Sequence, residues 1–301
     1  MSRRWGPDGL PPGPVVKICG LTRLEDILLA RALGAWALGF VFAPSPRRLT
    51  PAEARGLIDL AAAARPSAEA PPGSAEPAAP LAVGVFGDVA AAEVARVVEQ
   101  VGLDAVQLHG RTGPAAAEVR EALSGWVCPL ALGGARGGAR VVEGAPGVSG
   151  PIRGAGGSVA PAPPAMPLLI IQAVPMAPEG ADPGAVRRAI AAAGAEVDLV
   201  LLDTGTMGRF GGTGTTFPWR SAREAGGCGP FLVAGGIGPQ NVQAALEESA
   251  AWGVDVSSGV ESSPGSKDAR LTERLLTRVA AMRNPTFGVT SLDERQEGPR
   301  T

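Results

Sequence analysis

Histidine, lysine and cysteine are scarce in this sequence of 301 residues, and each scarcity excludes a kind of chemistry. The single histidine, His109, excludes metal sites built from several imidazoles and acid–base schemes that need two histidines. The only lysines are Lys17 and Lys267, so a Schiff-base enzyme would have just two candidate residues. Three distant cysteines without a CxxC pair argue against a disulfide framework or a thiolate zinc site, and they predict a reducing compartment. We therefore expect no metal and no cofactor held by such ligands.

Neither a strong net charge nor a long apolar run is present. A formal net charge of −2 and a pI near 5.6 give no basic footprint for nucleic acid. The first residues, MSRRWGPDGLPPGP, lack the apolar region of a signal peptide, and no later segment reaches about 18 uninterrupted apolar residues. We expect a cytoplasmic protein without a nucleic-acid or membrane partner, either a monomer or a homodimer.

Glycine and proline, in contrast, are abundant, with 43 and 29 copies. Nearly half of them lie in four stretches that lack regular apolar periodicity, at residues 1–14, 65–80, 133–167 and 284–301. Such segments cannot repay their ordering entropy by burial. We predict a single domain over 15–283 with low-complexity insertions at 65–80 and 133–167, and disordered tails at 1–14 and 284–301.

The remaining chain alternates short apolar runs with amphipathic stretches, which indicates repeated strand–helix units and a parallel sheet. Eight strands are predicted, at 15–20, 36–42, 81–86, 105–110, 168–174, 197–203, 230–237 and 253–260. Helices are predicted at 24–33, 51–64, 89–101, 114–123, 183–193, 239–251 and 269–282, and several of them have proline in the first turn, such as Pro51, Pro183 and Pro239. The pattern favours an α/β fold, a single (β/α)₈ TIM barrel, over an open doubly wound sheet.

One strand assignment has an alternative. The run WVCPLAL at 126–132 also has strand character, but LLIIQAV at 168–174 is richer in β-branched residues and leads directly into the next helix. We therefore predict the fifth strand at 168–174.

Active sites of such barrels form at the carboxyl ends of the strands, so the polar and glycine residues at those positions are the candidates. They are Cys19, Arg47, His109, Asp203, Gly212, Thr213, Gly214, Gly235, Gly236, Asp255, Ser258 and Gly259. The glycine-rich and serine-rich positions follow the sixth, seventh and eighth strands, where backbone N–H groups can approach an anion and barrels commonly bind phosphate. A sugar phosphate is therefore the first substrate class to consider.

Each candidate also has a structural interpretation. Cys19 is a small apolar side chain that suits a strand, Asp203 suits a helix cap, and a loop arginine such as Arg47 is often only a solvated charge. His109 could shape a pocket through hydrogen bonds without taking part in proton transfer.

The order of several segments resembles the phosphoribosylanthranilate isomerase family of tryptophan biosynthesis. The segments are KICGLT, VGVF, VQLHG, LLDT followed by GGTGTTFPW, AGGIGPQNV, and DVSSGVE with a later PG and KD. The resemblance runs from Val15 to about Met282 with the insertions skipped, and KICGLT and DVSSGVE are its most specific parts.

The resemblance implies an Amadori rearrangement of a phosphoribosylated anthranilate, without metal or cofactor. In the family pattern Asp203 is the general acid that protonates the ring oxygen, and Cys19 is the general base that removes the proton from C2. Arg47 matches the arginine that pairs with the anthranilate carboxylate. The phosphate would bind backbone N–H groups at 212–214, 235–236 and 258–259, and His109 and Asp255 complete the expected substrate site.

Two positions depart from the family pattern. Pro218 stands where the family usually has aspartate, and Gln172 stands in place of a lysine on the fifth strand. Neither change removes the expected acid or base.

Three alternatives remain open. The related isomerase of histidine biosynthesis uses two aspartates for the same chemistry, which the cysteine at position 19 disfavours. A Schiff-base aldolase built on Lys17 and a barrel that binds a phosphoribosyl ligand without catalysis are the others.

Overall fold

The computed structural model describes residues 10–64, 79–110, 112–126, 168–176, 197–204, 216–223 and 229–283, together with residues 184 and 187. Most of the predicted tails and insertions lie outside these residues. So do the predicted phosphate residues Gly212, Thr213 and Gly214, and nearly all of the helix predicted at 183–193.

Eight parallel strands close into a barrel in sequence order, with β1 paired to β8. The strands are β1 Val15–Cys19, β2 Ala37–Val41, β3 Leu81–Phe86, β4 Ala105–Leu108, β5 Leu169–Pro175, β6 Leu199–Asp203, β7 Phe231–Ala234 and β8 Gly253–Val256. Nearly all of their residues are buried, because strands of a closed parallel barrel are covered on both faces. The predicted TIM barrel is thus confirmed, and the fifth strand lies where LLIIQAV was preferred.

Helices connect the strands on the outside of the barrel. The described helices are α1 Leu24–Ala32, α2 Pro51–Ala63, α3 Ala91–Val101, α4 Ala116–Ala122, α5 Arg220–Arg223, α6 Val242–Ser249 and α7 Ala269–Arg283. A 3₁₀ turn, Ser258–Val260, follows β8 and leads into a hairpin of β9 Glu261–Ser263 and β10 Ser266–Lys267.

The start of α2 shows how local sequence fixes a helix end. Thr50 Oγ1 accepts a hydrogen bond from the backbone N–H of Glu53, and the Glu53 carboxylate accepts one from the backbone N–H of Thr50. Pro51 occupies the first helical position, where its missing N–H costs nothing. This reciprocal capping confirms the predicted proline-led helix start at this position.

Two apolar clusters occupy the two faces of the strands. The larger cluster packs the outward faces against the helices, and a smaller one that includes Val83, Ile171 and Leu201 fills the barrel interior. Near the carboxyl ends of the strands, Cys19 packs with Val85 in a separate small group. The interior is therefore solid below the site, so chemistry is confined to the mouth of the barrel.

Residues 10–14, which the sequence assigned to the amino-terminal tail, contact the base of the barrel. Leu10, Trp36 and Trp252 all pack against the interior apolar cluster, and the rings of the two tryptophans meet edge to face with centroids 5.0 Å apart. The indole N–H of Trp252 also donates to the carbonyl of Pro11. The two tryptophans provide an apolar surface that these residues can cover.

Several sequence-based boundaries differ from the structure, and one short helix was missed. The eighth strand ends at Val256 instead of continuing to 260, because Ser258–Val260 form a 3₁₀ turn. The helix predicted from Pro239 begins at Val242, because the side chain of Asn241 accepts a hydrogen bond from the Gly238 N–H in the preceding turn. The four-residue helix α5 was not predicted at all.

Candidate active site

The mouth of the barrel brings together the carboxyl ends of all eight strands. Cys19 is the last residue of β1 and Asp203 is the last residue of β6. Because the ring is closed in sequence order, two strands separate β6 from β1 on one side and four on the other. The predicted base and acid therefore lie on different walls of the same mouth.

Cys19 and Lys17 share one face of β1, as their spacing of two residues predicts. Both approach Gly39 on the neighbouring strand, because a methyl group at Gly39 would lie 2.9 Å from Cys19 Sγ and 3.1 Å from Lys17 Nζ. It would also lie 3.0 Å from the Cys19 Cα. Glycine at position 39 thus provides the space that the thiol and the ammonium occupy.

Lys17 is a fully buried cation. Its Nζ donates to both carboxylate oxygens of Asp255 on β8 at 2.9 Å. Burial acts to lower the pKa of Lys17, but the charge and the hydrogen bonds of Asp255 oppose burial, and the pKa of Lys17 stays above its usual value. Lys17 consequently stays charged beneath the thiol.

The charge state of Cys19 results from opposing effects. Burial raises the pKa of the thiol, and this effect dominates over the lowering by Lys17 and Lys267. Neighbouring cations favour the thiolate form of a cysteine. The cations are present, but the burial of Cys19, which is 8% exposed, outweighs them and favours the thiol.

Asp203 lies beside the only histidine. His109 follows β4, and its Nε2 lies 3.5 Å from Asp203 Oδ2. The side chains are 27% and 14% exposed, so both reach the open mouth. A carboxyl group and an imidazole therefore lie together on the side of the mouth formed by β4 and β6, away from the thiol at the end of β1.

Arg47 is held by an unexpected partner, Glu261. Arg47 Nε and Nη2 donate to the two carboxylate oxygens of Glu261 at 2.8 and 2.5 Å, and both side chains are nearly inaccessible. Lys267 Nζ donates to the same carboxylate at 2.7 Å. Burial acts to raise the pKa of Glu261, yet the bonds and charges of Arg47 and Lys267 hold it below its usual range.

The glycines that follow β7 and β8 allow a close approach of backbone segments. Gly235 and Gly236 have φ values of 92° and 63°, and a methyl group on Gly235 would lie 1.7 Å from the Oγ1 of Thr204. A methyl group on Gly259 would lie 1.9 Å from the carbonyl oxygen of Ile237. The Thr204 side chain therefore packs directly on Gly235, and the backbones after β7 and β8 approach closely at Ile237 and Gly259; only glycine at positions 235 and 259 leaves room for these contacts.

All nine of the predicted site residues that the structure describes lie at this mouth. Cys19, Arg47, His109, Asp203, Gly235, Gly236, Asp255, Ser258 and Gly259 all lie at or just after the carboxyl end of a strand. Asp255 differs from expectation in its contacts, since both of its oxygens bind Lys17.

Five residues with clear roles in the geometry were not among the predicted site residues: Lys17, Gly39, Thr204, Glu261 and Lys267. A glutamate and a lysine in the VESSPGSKD segment, which follows a strand end directly, were the available signal for the last two. No signal marked Gly39, because the feature that matters is a missing side chain.

The described residues contain no group of three or more histidine, cysteine or carboxylate side chains that could hold a metal ion. Within the same residues, no helix is both long and apolar enough to cross a membrane.

A closed eight-stranded barrel with ionisable side chains and paired glycines at its carboxyl end defines the class of TIM-barrel proteins that act at the mouth of the barrel. The chain matches the family described as N-(5'-phosphoribosyl)anthranilate (PRA) isomerase over residues 16–126 and 168–278. It belongs to that family.

Individual relatives agree with this assignment. The N-(5'-phosphoribosyl)anthranilate isomerase of Rubrobacter xylanophilus is 36% identical over 265 residues, which cover 87% of this chain and 97% of the relative. The crystal structure of phosphoribosyl anthranilate isomerase from Thermus thermophilus has a TM-score of 0.60 at 30% identity and covers 90% of this chain and all of its own.

A second solved structure is a phosphoribosyl anthranilate isomerase in complex with reduced 1-(o-carboxyphenylamino)-1-deoxyribulose 5-phosphate. It has a TM-score of 0.57 at 27% identity, and the match covers 89% of this chain and all of that one.

Proposed function

We propose that this protein isomerises N-(5'-phosphoribosyl)anthranilate to 1-(2-carboxyphenylamino)-1-deoxyribulose 5-phosphate, a step of tryptophan biosynthesis. Membership of the PRA isomerase family supports the reaction. The observation that carries it to this chain is the pairing of a thiol on β1 with a carboxyl group on β6 at one barrel mouth.

The first half of the reaction needs an acid. The carboxyl group of Asp203 donates a proton to the furanose ring oxygen, the C1–O bond breaks, and the nitrogen lone pair forms the C1=N bond of a protonated Schiff base. His109, with its Nε2 3.5 Å from Asp203 Oδ2, is placed to orient that carboxyl group. General acid–base catalysis by one positioned group contributes about 10²- to 10⁴-fold in rate.

The second half needs a base. The Cys19 thiolate removes the proton from C2 of the sugar, and the electron pair of that C–H bond forms C1=C2 while the C1=N electrons return to nitrogen. The resulting enolamine tautomerises to the ketone by losing the hydroxyl proton and gaining one at C1. Because burial raises the Cys19 pKa, the two cations Lys17 and Lys267 are needed to lower that pKa and so to maintain a population of the thiolate.

Binding residues hold the two ends of the substrate. The phosphate rests on backbone N–H groups around Gly235–Gly236 and Ser258–Gly259, where three of the four residues lack a Cβ. The GGTG run at 211–214, outside the described residues, is expected to join them. Arg47 pairs with the anthranilate carboxylate. A cytoplasmic location and a monomeric or homodimeric state remain predictions from the sequence.

Turnover of the purified protein tests this function. Phosphoribosylanthranilate is fluorescent through its anthranilate group, so its loss can be followed continuously. We expect saturable consumption of this substrate and much weaker activity on the aminoimidazole substrate of the histidine-pathway isomerase. Activity confined to the histidine-pathway substrate would contradict the proposal.

A further inference from the structure

Arg47, Glu261 and Lys267 form a buried ionic cluster at the mouth in which two cations share one carboxylate. The side chains of Arg47, Glu261 and Lys267 are 6%, 4% and 1% exposed. A buried carboxylate of this kind is costly unless its oxygens are fully used. Here they accept from Arg47 and Lys267, and Oε1 also accepts from the backbone N–H of Gly265 at 3.3 Å.

Glu261 uses only one edge of the Arg47 guanidinium. Its oxygens accept from Nε and Nη2, and Nη1 has no hydrogen bond to any residue in the described part of the chain. A guanidinium offers five N–H donors in a fixed plane, so one carboxylate on one edge orients the opposite edge for a second carboxylate. The side chain also packs on Gly20, where a methyl group would lie 2.4 Å from Arg47 Cδ.

Lys267 connects this pair to the strand that carries the thiol. Besides Glu261, its Nζ donates to the carbonyl oxygens of Cys19 at 2.7 Å and Ser257 at 3.1 Å. The β9–β10 hairpin is fixed in turn to α1 and to the loop before it, because the N–H of Lys267 donates to Asp26 on α1 and the carbonyl of Gly265 accepts from Thr22 in that loop. Glu261 therefore lies on a rigid support that ends beside Cys19.

We infer that Glu261 is a positioning residue for recognition of the substrate's carboxylate: it holds Arg47 so that the free guanidinium edge receives the aryl carboxylate. This inference rests on the proposed function, in which Arg47 binds that group. The β9–β10 hairpin carries Glu261, and Lys267 bonds both Glu261 and the Cys19 carbonyl. The contact with the aryl carboxylate is therefore held at a fixed position relative to Cys19. The ligand class is an aryl carboxylate on an amino sugar phosphate.

A pair of ligands separates this role from a structural one. The first is reduced 1-(o-carboxyphenylamino)-1-deoxyribulose 5-phosphate, and the second is the same compound without the carboxyl group. Dissociation constants are measured by calorimetric titration for the wild type, Arg47→Ala, Glu261→Gln and the double variant. Glu93→Gln is the matched control, because it removes one carboxylate charge from an exposed ion pair with Arg96 on α3.

We expect Glu261→Gln to weaken binding of the carboxylated ligand about 10-fold or more, as expected when a charged hydrogen-bonded partner is lost. Binding of the ligand without the carboxyl group should change less than about twofold. The double variant should bind like Arg47→Ala alone, and Glu93→Gln should bind like the wild type. Thermal unfolding of each variant shows whether it is folded.

Three results overturn the inference and differ from a failure of the proposed function. Equal weakening of both ligands by Glu261→Gln, or additive effects in the double variant, would mean that Glu261 acts only on the fold. A carboxyl-selective loss in Arg47→Ala without one in Glu261→Gln would have the same meaning. Weakening of both ligands alike by Arg47→Ala would instead contradict the role of Arg47 in the proposed function.

Discussion

The same substitution, glycine to alanine, should have opposite effects at two positions of this chain. At Gly39 on β2, a methyl group would lie 2.9 Å from the Cys19 Sγ and 3.0 Å from the Cys19 Cα. Rotating the thiol relieves only the first contact, because the second is with the backbone of β1. At Gly56, inside α2, a methyl group would meet no atom within 4 Å.

The magnitudes follow from these distances. Overpacking of a closely packed interior costs about 1–3 kcal/mol of unfolding free energy, so Gly39→Ala should be destabilised by that amount. It should also lower kcat, because the new methyl group displaces the thiol from its position. Gly56→Ala should be more stable than the wild type by about 0.5–1 kcal/mol, since alanine loses less backbone entropy in a helix.

Urea unfolding and steady-state kinetics on the two variants check both signs. Gly56→Ala serves as the control, because it adds the same methyl group far from the mouth and should leave kcat unchanged. A Gly39→Ala variant with wild-type stability and kcat would refute the account of the space beside Cys19. A destabilised Gly56→Ala would refute the assignment of an open helix surface there.

Three further predictions address the charge, the phosphate site and the insertion. Replacing the buried pair by Lys17→Met with Asp255→Leu should raise the apparent pKa of the catalytic base in the pH profile of kcat/KM, because Lys17 lowers the Cys19 pKa more than Asp255 raises it. An unchanged pH profile would contradict this prediction. Gly235→Ala should raise KM and weaken inhibition by inorganic phosphate by about 10-fold or more, because the new Cβ would collide with Thr204 and because residue 235 has a φ of 92°, which alanine rarely adopts. Unaltered phosphate inhibition would disprove the anion site. Deleting 133–167 should leave kcat and melting temperature nearly unchanged, and a large loss of either would show that the segment packs on the barrel.

The barrel could be predicted from the sequence because its strands are buried on both faces and appear as short apolar runs. All eight strands lie where runs such as LAVGVF and LLIIQAV indicate. The end of β8 could not be found this way, because the apolar pattern continues through VSSGV while the backbone turns at Ser257. The helix α5, with four residues, is too short to show a helical period.

The strand ends marked Cys19 and Asp203 as candidates, and the family resemblance implied their roles as base and acid, but neither indicated the ion pairs that surround the site. Lys17 and Asp255 are 238 residues apart, and Arg47 and Glu261 are 214 residues apart, so neither pair has a local signature. Closure of the barrel between β8 and β1 brings both pairs together. The dominant effect of burial on the Cys19 pKa likewise depends on packing that the sequence does not display.

The central claim is that the side chains at the ends of β1 and β6 perform the proton transfers. The measurement that tests it most directly is kcat of Cys19→Ala and Asp203→Asn with phosphoribosylanthranilate, followed by loss of fluorescence. Both variants should remain folded and lose about 10²- to 10⁴-fold in kcat, as expected for removal of a general base or acid. Wild-type kcat in either folded variant would contradict the account.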